Sequence, residues 1–291
     1  MNTLLENQKN LIHLFKLVND ESEEIQQIVT NEILTNSLEI IFNKKYYLKT
    51  LNPEDSSQFN AILTELHLPL VYRSFRRILD EAMDEMDLEK SVLLLSFWHS
   101  PDVFTSDLQI HLDRIAQRIE QIIPMSGHPL SFVDHINQVL FSEYRFSGNT
   151  SDYYNPLNSF LHSVLQTGKG NPISLSVLYM LICKRLHFPV YGVCMPAHFI
   201  LKFDNGEDEI FFDPFYRGKV YSRENCLNYL RQFDGYNPTD ILRGCGTQEI
   251  LKRILRNLHL SYSSHTVDSA KIEQIEQLLS MMEAYFPDPN L

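Results

Sequence analysis

The sequence predicts an α+β protein in which helices flank a short antiparallel sheet. Three observations predict it. Apolar residues recur at helical spacing through most of residues 11–186 and again over 247–285. Between 190 and 213 the period shortens to that of strands. Gly, Pro, Asn and Asp cluster where one period gives way to the other. With 291 residues, 44% hydrophobic and 21% charged, the chain has material for one or two domains and a sizeable core.

Leu11, Ile12, Leu14, Phe15 and Val18 form the first helical stripe, which breaks at Asn19-Asp20-Glu21-Ser22. Ile25, Ile28, Val29, Ile33 and Leu34 form the second. Two short amphipathic helices around an acidic turn suggest a HEAT-like hairpin, with no second clear copy in the chain. Further helices are expected at about 57–67, 70–85, 88–98 and 105–123, punctuated by Pro53, Pro69, Pro101 and Pro124. A helix over about 129–144 precedes the turn-rich segment Ser147–Pro156. Another over 157–166 is broken by Gly168-Lys169-Gly170.

Asn171 then suits an N-cap and Pro172 the first helical position. Ile173, Leu175, Val177, Leu178, Leu181, Ile182 and Leu186 surround nearly the whole of the helix that follows, which predicts burial on most sides. Val190–Met195, His198–Phe203 and Ile210–Asp213 read as strands, with Asp204-Asn205-Gly206 as the turn between the last two. A register pairing Phe203 with Ile210 puts His198 and Asp213 on one face, and a one-residue slip separates them. Helices over Thr247–Ser261 and Asp268–Tyr285 close the chain, Ile250, Leu251, Ile254, Leu255 and Leu258 facing Ile272, Ile275, Leu278 and Leu279.

Composition excludes several functions. The net charge of −12, from 25 basic and 37 acidic residues, repels phosphate backbones and argues against nucleic acid as a partner. No apolar run is long enough to span a membrane, and the first ten residues lack the features of a signal peptide, so a cytoplasmic protein is expected. Cys183, Cys194, Cys226 and Cys245 form no CxxC pair, which disfavours structural zinc and leaves free thiols as the expectation. His128, His135, His162 and His187 show no HExxH spacing, and no GxGxxG or P-loop pattern occurs. No cofactor is implied.

Five separated motifs resemble the SirB family of transglutaminase-like proteins. They are Gly148-Asn149 through Asp152-Tyr153-Tyr154, then Asn158-Ser159, then Gly170-Asn171-Pro172-Ile173-Ser174-Leu175-Ser176, then Pro196-Ala197-His198-Phe199, and Asp213-Pro214-Phe215. The resemblance covers about residues 88–288. It implies a papain-type core at 88–240 between a helical region at 1–87 and a tetratricopeptide-like helical hairpin at 241–291. In such folds a Cys at a helix N-terminus attacks, a His moves the proton and an Asp orients the His. Carried over by motif, His198 matches the His and Asp213 the Asp, while the Cys position holds Pro172. Ala197 stands where a Gly is common, and fits on the expectation that its backbone avoids positive φ.

Two functions follow as expectations. In the first, the core is a non-catalytic binding or regulatory module whose cleft, lined by Tyr153, Tyr154, Asn158, Asn171 and Pro172, takes a protein or peptide partner. In the second, it is a cryptic amide or thioester hydrolase or acyl transferase in which Ser174 or a water replaces the Cys beside His198 and Asp213. Ser174 also suits a cap of the first-turn amides, and Cys183 and Cys194 read as inert thiols.

Overall fold

The computed structural model describes residues 2–18, 20–82, 86–124, 127–235 and 237–287. The chain divides into two compact units, one of Met1–Ala82 with Leu93–Asp107, the other of Met83–Val92 with Leu108–Leu291.

The first unit contains α1 (Asn2–Phe15), α2 (Glu23–Thr35), α3 (Ser37–Thr50), α4 (Pro53–Glu65) and α5 (His67–Glu81). Its core centres on Phe15, which stacks on Phe59 at 4.0 Å and meets Tyr47 edge-on at 5.1 Å. The sequence did not predict α3. Its buried positions Leu38, Ile40, Ile41, Lys44 and Tyr47 form no purely apolar stripe, because one of them is a lysine. Lys44 donates to the Pro101 carbonyl at 2.7 Å, and burial lowers the pKa of its ammonium. Pro69 punctuates nothing. It lies in the first turn of α5, where no helical hydrogen bond is lost.

Two further helices, α6 (Leu88–His99) and α7 (Thr105–Glu120), contribute residues 88–92 and 108–120 to the second unit. There follow α8 (Pro129–Asn137), which runs on into a π-helical turn at Gln138–Glu143, β1 (Ser147–Gly148), a 3-10 turn at Pro156–Ser159, α9 (Leu161–Thr167), β2 (Lys169–Gly170) and α10 (Pro172–Arg185). The sheet is built from β3 (Val190–Val193), β4 (Ile200–Asp204), β5 (Glu209–Asp213) and β6 (Lys219–Tyr221), with a 3-10 turn at Pro214–Tyr216 before the last strand. The unit ends with α11 (Arg223–Leu230), α12 (Pro238–Leu242), α13 (Thr247–Ser264) and α14 (Ser269–Tyr285).

The fold class is α+β, as the hydrophobic periods require. The sheet is antiparallel throughout in the order β3-β4-β5-β6, and Phe203 pairs with Ile210 in the expected register. Alternation then gives the sheet two dressed faces. On one, Phe203 stacks on Phe188 at 4.5 Å and Phe212 meets Tyr179 of α10 at 4.9 Å. On the other, Val193, Ile200 and Phe211 join Met195 and pack with Cys226 and Leu230 of α11 and Leu242 of α12. The helix α10 is buried on nearly every side, as predicted. Its C-terminal end is pinned by Arg185, whose guanidinium binds Glu89 at 2.7 and 2.8 Å and Asp113 at 2.6 Å.

Several predicted boundaries move. β3 ends at Val193 rather than Met195, and β4 begins at Ile200 rather than His198, because Pro196 and a left-handed Ala197 turn the chain between them. β6, α11 and α12 were not predicted, since each is short and largely polar. The two-residue pair β1–β2 is parallel and brings Gly148 beside Gly170. A β-carbon on Gly148 would lie 2.5 Å from the Phe215 ring, so the ring packs directly on the glycine backbone. The outer edge of β3 is bridged at Gly192, whose carbonyl accepts from the Cys245 amide at 2.8 Å. The other edge strand, β6, has only three residues and starts with an exposed lysine.

His162 on α9 is largely buried beside Phe160, and desolvation lowers its pKa to about 4. The folded state therefore resists protonating a ring that titrates near 6.5 when unfolded. Stability is intact above that value and is lost as pH falls from 6.5 towards 4. After allowance for water that still reaches the ring, the loss is about 1–2 kcal/mol. Urea unfolding at pH 7 and pH 4.5 is expected to show this component in the wild type and not in His162→Gln.

Candidate functional site

The turn between β3 and β4 presents His198. Met195 donates its amide to Val193 O at 3.0 Å and His198 donates its own to Met195 O at 3.2 Å, which makes the turn tight. Ala197 sits inside it at φ +56°. The expectation that an alanine fits here only without positive φ is therefore wrong. The chain accepts the left-handed strain of a β-carbon, about 1 kcal/mol relative to glycine, to complete the turn. Further hydrogen bonds hold the same segment. Tyr229 Oη of α11 donates to Pro196 O at 2.8 Å, and Arg253 of α13 donates to Met195 O at 3.4 Å.

Asp213 is the last residue of β5 and is fully buried. Its Oδ1 accepts the Phe215 amide at 2.9 Å and starts the 3-10 turn. Its Oδ2 lies 2.6 Å from His198 Nε2. A buried carboxylate needs donors for both oxygens, and an Nε2–H imidazole supplies the second. That tautomer leaves Nδ1 as the open nitrogen of a ring whose side chain is 22% exposed, with no hydrogen-bond partner among the described residues.

Beside His198 lies a cavity of about 400 Å³. Ile200 and Tyr221 line it from the sheet, Asn225, Cys226 and Tyr229 from α11, and Met195, Ala197 and Tyr216 from the turns. The lining is mostly apolar and carries no carboxylate or guanidinium. Burial pushes the Cys226 thiol up to about 11, so it presents a neutral S–H. The cavity is on the α11 side of the sheet, opposite the face covered by α10.

The other predicted site residues gather at the start of α10. Ser174 and Asn171 form a reciprocal capping box. Ser174 N donates to Asn171 Oδ1 at 2.9 Å, and Asn171 N donates to Ser174 Oγ at 3.0 Å. Ser174 Oγ in turn donates to Asn158 O at 2.6 Å, and Asn171 Nδ2 donates to Ser159 Oγ at 2.8 Å. Asn158 Nδ2 reaches the carbonyls of Asp152 and Tyr153 at 2.7 and 3.1 Å, while its Oδ1 accepts from Asn149 at 2.8 Å. Pro172 is buried at the first helical position. Asn158, Asn171 and Pro172 thus close the loop against the helix, and none of them lines the cavity beside His198.

Tyr153 and Tyr154 are exposed and touch edge-on at 5.2 Å. A chain of ring contacts runs from Tyr153 through Phe215 and Tyr216 to His198, with centroids 5.9, 5.3 and 6.2 Å apart. The loop pair is connected to the histidine through these rings and does not itself line the cavity. Tyr216, Tyr221, Asn225, Cys226 and Tyr229 escaped the sequence reading because the elements that carry most of them were not predicted. The Ser222-x-x-Asn225 spacing of a capping box would have found α11. Among the described residues no cluster of three or more His, Cys, Asp or Glu is placed to hold a metal ion, and no helix is long and apolar enough to cross a membrane.

A model described as the transglutaminase-like superfamily matches residues 106–256, and the chain belongs to that superfamily. It is 32% identical over 213 residues to a UPF0162 protein of Xylella fastidiosa, covering 70% of this chain and 73% of that protein. A UPF0162 protein of Vibrio cholerae is 28% identical over 152 residues, or 52% of this chain and 56% of that one. Human F-box only protein 21 is 28% identical over 275 residues, which is 84% of this chain but 41% of that protein. No solved structure matches.

Two substitutions separate structure from function here. Ser174→Ala removes an acceptor and a donor from a buried cap and is expected to cost about 1–3 kcal/mol in urea unfolding. Ala197→Gly relieves the left-handed turn and should raise stability by about 1 kcal/mol, or less once the added freedom of the unfolded chain is counted.

Proposed function

We propose that this protein is a non-catalytic member of the superfamily that works as a binding or regulatory module, holding a peptide segment of a protein partner in the cavity beside His198. One observation carries the reading. The helix start that would offer a thiolate carries Pro172, and the only hydroxyl of that first turn, Ser174, donates to the Asn158 carbonyl inside a buried cap. A nucleophile needs its base within hydrogen-bond reach. The Ser174 hydroxyl bonds Asn171 and Asn158, and the His198 imidazole bonds Asp213.

The retained dyad favours a second reading. His198 with Nε2 on Asp213 and Nδ1 open has the arrangement of a general base, which would serve an amide or thioester hydrolase or acyl transferase through water. The match to a relative named for an F-box, covering less than half of that protein, is consistent with a core that operates beside other protein modules. A regulatory role of the SirB type would run through such a partner, since the net charge of −12 disfavours direct contact with DNA.

A panel of transamidation, deamidation, and peptide and thioester hydrolysis tests the two readings. Wild type, His198→Ala and Ser174→Ala should all match the buffer blank. Peptides selected on the wild type from a display library should bind His198→Trp, which fills the cavity, roughly tenfold or more weakly. Turnover in the wild type that disappears in folded His198→Ala would overturn the non-catalytic reading.

A further inference from the structure

Cys194 and Cys245 are 51 residues apart in the chain, yet their sulfurs lie 2.9 Å apart and share a hydrogen bond. Cys194 follows β3 directly and stands four residues before His198. Cys245 stands two residues before α13. The backbone brings them together at Gly192, where the Cys245 amide bonds the strand. The missing β-carbon of Gly192 leaves room there, since one would lie 3.2 Å from Cys245 Sγ and 2.6 Å from the Phe199 ring. A shared metal ion would need further ligands, and among the described residues no third His, Cys, Asp or Glu joins the pair. A disulfide bond is about 2.05 Å, so the thiols have less than an ångström to close.

We propose that Cys194 and Cys245 are a redox modification site, forming a reversible disulfide that ties the turn carrying His198 to the start of α13. Both are half-buried, whereas Cys183 and Cys226 are buried. Their hydrogen bond, with burial second, raises the pKa of Cys245. The oxidant is a low-molecular-weight disulfide of the glutathione class. Cys194, as thiolate, attacks one of its sulfurs and releases one thiolate, giving a mixed disulfide on Cys194. This step leaves Cys245 beside the new mixed disulfide, without the hydrogen bond from Cys194. Cys245 then loses its proton, attacks the Cys194 sulfur and expels the second thiolate. In sum, two protein thiols and one small disulfide become one protein disulfide and two small thiols.

The bond adds a covalent tie to a turn already held by Tyr229 and Arg253. Its consequence falls on the cavity, because Met195 and His198 both line it. The device does not depend on whether the site turns over or only binds.

The test is to equilibrate the full chain in glutathione buffers of graded ratio and digest the quenched protein for mass analysis. The expected product is one internal link joining the peptides that contain Cys194 and Cys245, reversed by excess reduced glutathione. The oxidised protein should melt roughly 5 °C or more above the reduced one. Amides of residues 194–199 should exchange more slowly. Cys194→Ser and Cys245→Ser should each abolish the link and the melting shift. Should either variant fail to fold, the link map and exchange data from the wild type decide alone. A stable glutathione adduct without an internal link, a link through Cys183 or Cys226, or no reaction would overturn the proposal.

Discussion

The packing of the loop 149–159 on α10 depends on how one helix start is closed. A helix begins with amides that have no partner in the helix, and α10 begins in the interior, where water cannot serve them. Asn171 and Ser174 satisfy each other's backbone, the Asn158 carbonyl accepts a hydrogen bond from the Ser174 hydroxyl, and Ser159 Oγ accepts one from the Asn171 side-chain amide. Each group in the network has a donor or acceptor to meet it, so the loop 149–159 has little freedom to sit elsewhere. Proline at the next position fits the same constraint, since it brings no amide that would need a partner. The result is a sealed polar junction.

On the far side of the sheet the constraint works in the opposite direction. Asp213 is buried at the end of β5, and its carboxylate is stabilised by one backbone amide and one imidazole. The imidazole is held there by a turn that includes a strained alanine. The strain and the burial stabilise no packing of their own. They fix one ring nitrogen on Asp213 and leave the other facing space. The surrounding phenols and the neutral Cys226 give the cavity a character suited to holding an uncharged group.

Much of this was legible in the sequence, and the reasons are specific. The pairing of Phe203 with Ile210, the register that puts His198 and Asp213 on one face, could be named from the turn at Asp204-Asn205-Gly206, while the one-residue slip that would separate them stayed open until the structure was in hand. The capping role weighed for Ser174 followed from residue types alone. What escaped depended on tertiary context. A helix such as α3, which buries a lysine against the Pro101 carbonyl, has no clean stripe to read. Arg185 was not singled out, because an ion pair with Glu89 needs two helices whose approach the sequence does not state. Part of the cavity wall comes from α11 and β6, whose short stretches carry too little periodicity to be told from loops. The left-handed backbone at Ala197 ran against the residue's own preference, so composition pointed the other way.

The edges of the sheet bear on how this protein behaves at high concentration. A strand with an unsatisfied outer row of amides and carbonyls is a template for another chain, and four-stranded antiparallel sheets have two such rows. Here one is interrupted where Cys245 docks on Gly192, and the other is cut to three residues with a lysine at its start. Neither row is long enough to nucleate growth of a cross-β assembly. A substitution that frees the Gly192 carbonyl would therefore convert a folding defect into an aggregation hazard, even where it leaves the histidine and its aspartate untouched.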